Sequence, residues 1–177
     1  MKDLLYDAYD IAAIINSMDM GIWEVSDLLK KVWEYDRMYL KQEYRHNQKK
    51  LIMNSHYWMS YLYEKSSIDA EFPVVQKDLK TLGSDLIIEN FIADYSCINL
   101  FFKSLRYKIL YLGKQDYTRL KLRTILQAYG YKRRSKNLID YMHECLLFYH
   151  IQTYERGGIE CDVATVDLDT MITFRVV

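Results

Sequence analysis

The sequence predicts a mainly α fold: a helical N-terminal portion followed by a helix–turn–helix and a small antiparallel β-ribbon. Three observations carry this expectation. Apolar residues recur at three- and four-residue steps over most of the chain up to Arg106, the spacing of one helix face. Only 6 Gly and 1 Pro punctuate the 177 residues, too few for a linker-rich or collagen-like chain. Short runs with β-branched residues and turn signals gather near the C-terminus. Half the residues are apolar and 27% are charged, so a chain of this length can bury a core without disulfide or metal staples and is not disordered.

Taken in order, Leu4, Leu5, Ala8, Ile11, Ala12 and Ile15 form one apolar face and predict a helix from Asp3 to Met18, ended by Gly21. Trp23, Leu28, Leu29, Val32, Trp33, Met38 and Tyr39 keep a similar period. Their polar side is dense with Lys30, Lys31, Glu34, Arg37, Lys41, Glu43 and Arg45, which predicts a long amphipathic helix extending toward His46. A third helix with an aromatic face is expected over Leu51 to Lys65, carrying Tyr57, Trp58, Tyr61 and Tyr63. Ser66-Ser67 and Phe72-Pro73 then punctuate the chain, because proline cannot sit in a helix interior. Val74, Val75, Leu79 and Leu82 restore the period as far as Gly83, and a strongly apolar helix follows over about 85–106. Tyr107 to Leu112, stopped by Gly113, is either a short strand or the tail of that helix.

The last 60 residues or so are more legible. Leu122, Ile125, Leu126 and Tyr129 stand at i, i+3, i+4 and i+7, which predicts a helix over Tyr117 to Tyr129 with Asp116 as its cap and Gly130 at the left-handed C-terminal position. Ser135 can cap the next helix, whose stripe is Leu138, Ile139, Met142, Cys145, Leu146 and Tyr149, ending near His150. Strand-like runs follow over Ile151 to Glu155, Ile159 to Val163 and Met171 to Val177, with a turn at Gly157-Gly158. Two regions are expected, a helical one over 1–106 and a helix–turn–helix with ribbon over 107–177.

Cys97, Cys145 and Cys161 make an odd count without Cys-x-x-Cys spacing, which points to reduced thiols and a cytoplasmic location. The start, with Asp3, Tyr6 and Asp7, lacks the basic flank and apolar run of a leader, and no apolar stretch approaches the roughly 20 residues that span a bilayer. A soluble protein without a membrane partner is expected.

Formal charge cancels, 24 basic residues against 24 acidic, but its distribution is uneven. Residues 103–136 hold eleven cations, Lys103, Arg106, Lys108, Lys114, Arg119, Lys121, Arg123, Lys132, Arg133, Arg134 and Lys136, against the single acid Asp116. That segment carries +10 and the remainder −10. One-sign clustering is self-repulsive unless a polyanion or an acidic neighbour balances it. On a helix over Tyr117 to Tyr129, Arg119, Arg123 and Gln127 would stand at four-residue steps on one polar side. The turn after it sets Lys132, Arg133 and Arg134 immediately before a helix start at Lys136 and Asn137, where free backbone N–H groups and three cations favour a phosphate. Asp140 and Glu144, further along, repel one. The competing interpretation is a basic face neutralised by the protein's own acidic N-terminal portion.

The order helix, turn, basic helix start and two- or three-stranded wing over 116–177 resembles a winged helix-turn-helix domain. The run from Leu122 through Tyr129-Gly130, Arg133-Arg134-Ser135 and Leu138-Ile139 to Leu146, with Asp169-Thr170-Met171-Ile172-Thr173-Phe174, is similar to a module appended to bacterial restriction- and defence-associated proteins. The resemblance implies that the second helix is the recognition element and that the Gly157-Gly158 hairpin touches the backbone of a bound duplex.

Other constellations rank below this one. His143 and His150 are seven residues apart on one helix, about 10 Å by rise, and cannot both ligate one ion. Glu160, Asp162, Asp167 and Asp169 could gather on neighbouring strands around a divalent cation, as in a nuclease, but a solvated strand face is the commoner outcome. His46 and His56 have no companion marking a general base. Among 17 tyrosines and 3 tryptophans, Tyr57, Trp58 and Tyr61 raise the possibility of base stacking, although an aromatic stripe at helical spacing is usually core.

These features lead to a non-enzymatic nucleic-acid-binding protein, for DNA or RNA, with no cofactor or metal. Arg119, Lys121, Arg123, Lys132, Arg133, Arg134, Lys136 and Asn137 are its expected phosphate contacts. The alternative is a protein-interaction inhibitor encoded by a phage or mobile element, such as an anti-CRISPR, acting on a ribonucleoprotein or other nucleic-acid-processing complex. The long N-terminal helices could also hold a homodimer interface.

Overall fold

The computed structural model describes residues 4–18, 20–68 and 96–177. They are mainly helical, with one small three-stranded antiparallel sheet, and belong to two compact units, Met1–Asp94 and Tyr95–Val177. The helices expected over Val74 to Leu82 and in the first part of 85–106 lie outside the described residues.

In the first unit, α1 (Ala8–Asn16) begins later than its apolar period suggests. Asp7 accepts the Asp10 N–H at 2.9 Å while the Asp10 carboxylate accepts the Asp7 N–H at 2.9 Å. This reciprocal capping box fixes the start. Leu4, Leu5 and Tyr6 therefore lie ahead of the helix, and Tyr6 exchanges backbone hydrogen bonds with Tyr39 and Lys41 at 2.8 and 2.9 Å. The long second helix is a correction. It divides into α2 (Ile22–Tyr35), a 3₁₀ turn at Arg37–Tyr39 and α3 (Gln42–Arg45), with the break at buried Asp36. The break lets the chain at Leu40 bridge Tyr6, and the Trp33 indole N–H donates to the Tyr44 carbonyl at 3.0 Å, folding α3 back toward α2.

Helix α4 (Gln48–Ile68) runs through Ser66-Ser67, which does not interrupt it, and packs along α1. Ile11, Ala12, Ile15, Leu28, Leu29, Val32 and Leu51 are buried. Trp23 and Met38, expected on the apolar stripe, are instead 84% and 70% exposed, because one precedes the buried period of α2 and the other lies beyond the break. Trp58 meets Tyr9 and Tyr57 edge-on, with centroids 5.3 and 5.5 Å apart, so this aromatic face is in part packing against α1.

The second unit opens with α5 (Ser96–Tyr107), which passes directly into a π-turn, Lys108–Leu112. The ambiguous apolar run is thus the helix tail. The Gly113 N–H closes it onto the Lys108 carbonyl at 2.6 Å, and a Cβ at Gly113 would lie 2.7 Å from that oxygen. Next come β1 (Tyr117–Lys121), α6 (Leu122–Ala128), α7 (Lys136–Phe148), β2 (Ile151–Tyr154) and β3 (Met171–Val176), in sheet order β1-β3-β2. The helix expected over Tyr117 to Tyr129 is therefore a strand in its first five residues. Thr118 and Leu120 turn to the inner face, opposite Phe174 and Ile172 of β3, a period of two that helical spacing at 122–129 concealed. Asp116 caps no helix. Its carboxylate accepts a hydrogen bond from Arg175 at 2.9 Å.

The caps on either side of the turn follow local chemistry. Gly130 has φ +76, with the Tyr131 N–H on the Leu126 carbonyl at 2.8 Å and the Gly130 N–H on Gln127 at 3.1 Å, the paired bonds of a Schellman motif. The Ser135 hydroxyl accepts the Leu138 N–H at 3.3 Å and starts α7. Gly157 and Gly158, both at positive φ, make the expected turn, but Ile159 to Val163 contributes only one bridge, Glu160 to Tyr154, before the chain loops to β3.

Leu122, Ile125, Leu138, Met142, Tyr149 and Phe174 are buried beneath the sheet. Arg106 is buried as well and donates to the Tyr149 carbonyl at 2.7 Å, so the 106/107 boundary expected from the sequence falls within the second unit. Cys145 and Cys161 are free thiols, and burial raises the pKa of Cys161. Among the described residues no helix is long and apolar enough to cross a membrane.

Candidate nucleic-acid interface

The eleven cations of 103–136 separate into two groups. Some are structural: Lys103 and Arg106 are buried, and two of the expected phosphate contacts are committed internally. Arg123, near the start of α6, forms a two-pronged pair with Asp169, both bonds 2.8 Å, and this raises its pKa while lowering that of Asp169. Arg134 donates from one nitrogen to the Val163 and Val166 carbonyls at 3.1 and 2.6 Å, stapling the loop between β2 and β3 to the turn before α7. A guanidinium suits this role because its donors are fixed in a plane.

The other group faces outward. Lys108, Lys114, Arg119, Lys121, Lys132, Arg133 and Lys136 are exposed and none forms an ion pair among the described residues, although Lys121 lies near enough to Asp169 to help lower its pKa. Asn137 is exposed beside Lys136 on the first turn of α7. The helical row Arg119, Arg123, Gln127 does not exist, since Arg119 stands on β1 and Arg123 on α6. Arg123 and Lys132 do meet at one place. Together with Leu126, Gln127, Gly130, Tyr131 and Leu168 they line an open cleft of about 370 Å³ beside the turn.

The acids of 160–169 do not converge on one point as a set of metal ligands. Apart from Glu160, bridged to Tyr154, they lie in the loop, and the carboxylates of Asp162, Asp167 and Asp169 accept bonds from the chain itself. Asp162 accepts the Ala164 N–H at 2.8 Å and pairs with His143 of α7 at 2.7 Å. These bonds, with the backbone one dominant, lower its pKa. Asp167 accepts the Asp169 N–H at 2.8 Å. No group of three or more possible metal ligands occurs among the described residues.

Sequence reasoning missed the open face of the sheet. Direct pairing puts Tyr117, Arg119 and Lys121 of β1 beside Arg175, Thr173 and Met171 of β3, with Gln152 and Tyr154 of β2 beyond them. The guanidinium carbons of Arg119 and Arg175 lie 4.8 and 5.4 Å from the Tyr117 ring centroid. Arg119 also donates to the Thr173 hydroxyl at 3.2 Å. The available signal was the alternation in 171–176, where Ile172, Phe174 and Val176 take one side and Met171, Thr173 and Arg175 the other.

The chain matches no family model, no curated protein and no solved structure.

Proposed function

We propose that this protein binds nucleic acid through its C-terminal unit, without catalysing a reaction on it, and that this unit is a winged helix-turn-helix in which the α6–α7 turn contacts phosphates. The observation that carries the proposal is that Lys132, Arg133 and Lys136 stand exposed without carboxylate partners among the described residues. Residues 96–177 hold thirteen basic and eight acidic side chains, so the unit is positive even though the whole chain is neutral. The element order supports the winged-helix assignment: two helices joined by a capped turn, then two strands that close on a third preceding them.

The contact set is narrower than the eight residues expected from the sequence. Arg134 holds the loop and Arg123 is paired with Asp169, which leaves Arg119, Lys121, Lys132, Arg133, Lys136 and Asn137. Exposed Asp140 and Glu144 on α7 oppose deep insertion of that helix into a groove. The backbone, not base edges, is then the main target. In an electrophoretic shift assay, the full chain retards duplex DNA, single strands or structured RNA, and the pair Lys132→Glu and Arg133→Glu abolishes retardation while the fold, followed by circular dichroism, persists. Unchanged retardation by the pair overturns the assignment.

A second proposal, protein binding by the N-terminal unit, is favoured by its exposed apolar residues, Ile22, Trp23, Tyr35, Met38, Met53 and Tyr57, at 60–84% exposure. Large exposed aromatics and methionines are enriched at such faces. Capture of a partner from host lysate that survives nuclease treatment supports this second function, and loss of all partners on nuclease treatment supports the first.

A further inference from the structure

We propose that the open face of the three-stranded sheet is a stacking platform for single-stranded nucleic acid. This deepens the nucleic-acid reading above and rests on it. The face presents two aromatic rings, Tyr117 and Tyr154, and three cations, Arg119, Lys121 and Arg175, against two acids, Asp116 paired to Arg175 and Glu160 bridged to Tyr154. Arg119, Lys121 and Arg175 are exposed, and the two tyrosines are partly buried.

The chemistry on this face differs from that of the turn. Lys132 and Arg133 offer charge alone, which any polyanion satisfies. On the sheet, both guanidiniums lie within about 6 Å of the Tyr117 ring, the range of a cation–π contact. The hydrogen bond to Thr173 further restricts Arg119, and the Tyr154 hydroxyl bonds to the Gln152 side chain. Planar groups held in place on a strand face provide surfaces for bases, and neighbouring cations follow the backbone.

Two sheet spacings and one two-residue step separate the tyrosines, about 12 Å, so the guanidinium–Tyr117 cluster and the Tyr154 ring can each take a separate base. Bases in a duplex are stacked on one another and cannot lie flat on such a face. The occupant is therefore a single strand, and its charge complements the surplus of cations on the platform.

The test is fluorescence anisotropy of the full chain with labelled single-stranded RNA, single-stranded DNA and duplex DNA of the same sequence. Tyr117→Leu and Tyr154→Leu remove rings without changing charge, and each weakens single-strand binding by about fivefold to a hundredfold, the range for loss of one stacked base. Duplex binding stays within twofold for both variants. The RNA and DNA arms report which strand is preferred, and either preference supports the platform. Lys121→Gln, a change of an exposed side chain on the strand, weakens single-strand binding more than duplex binding and serves if a tyrosine variant fails to fold. Unchanged single-strand affinity in folded Tyr117→Leu, Tyr154→Leu and Lys121→Gln overturns the platform. If those variants bind normally while Lys132→Glu with Arg133→Glu does not, the platform fails and the general nucleic-acid function stands. If the unaltered chain binds no nucleic acid in any arm, both fail.

Discussion

The two units use their cations differently. In the first, Lys31 pairs with Asp27 one helical turn away, Lys41 with Asp7 and Lys50 with Glu43, an ordinary mixing of signs on a helical surface. In the second, some cations are committed, Arg134 to loop carbonyls, Arg123 to Asp169 and Arg175 to Asp116, while Lys132, Arg133 and Lys136 face outward with no carboxylate partner among the described residues. Arg133 and Arg134 are adjacent, yet one is exposed and the other bridges two loop carbonyls. Local charge density is thus a poor guide to binding until the partners of each side chain are known.

Several substitutions break or sharpen this contrast. The largest effect is expected in the core of the second unit, where Phe174 on the central strand is fully buried. Phe174→Ala lowers the unfolding free energy by about 3–5 kcal/mol, measured by urea denaturation. Arg134→Ala comes next, at about 1.5–3 kcal/mol, because it removes charged hydrogen bonds to two carbonyls. Arg133→Ala changes stability by no more than about 0.5 kcal/mol and weakens nucleic-acid binding instead. Equal stability losses at the two positions would remove the distinction between staple and contact. Ser135→Ala, which deletes the cap of α7, costs about 1 kcal/mol.

The smallest effect is on acidification. The Ala164 N–H and His143 hold Asp162 below the usual carboxylate range, and Arg123 does the same for Asp169. A depressed carboxylate pKa contributes stability that is present above its unfolded value, about 3.9, and is lost as pH falls through the folded value. Below about pH 4 the β2–β3 loop therefore loosens, and hydrogen exchange at Ala164 accelerates. An exchange rate that follows only the intrinsic acid dependence contradicts the latch.

What could be read from the sequence was what short-range chemistry decides. Gly130 and Ser135 end and begin helices through contacts within a few residues, and both stand where their residue types predict. The strand at 117–121 was hidden because its partner is β3, with paired residues 50 to 58 positions apart, and because Leu122, Ile125 and Leu126 extend a helical period backward over it. The break at Asp36 likewise depends on a backbone bridge between Leu40 and distant Tyr6. The basic character of the site was visible as composition. Which cations are spent internally was not, since the partners of Arg123 and Arg134 lie some 30 to 46 residues away.

The most direct measurement is the salt dependence of nucleic-acid affinity for the full chain and for Lys132→Gln, Arg133→Gln and Lys136→Gln. A steep fall in affinity with salt is predicted, with the log–log slope becoming shallower by about 0.7–0.9 for each cation removed. A slope near zero, or one that all three substitutions leave unchanged, would contradict a binding face made of these side chains.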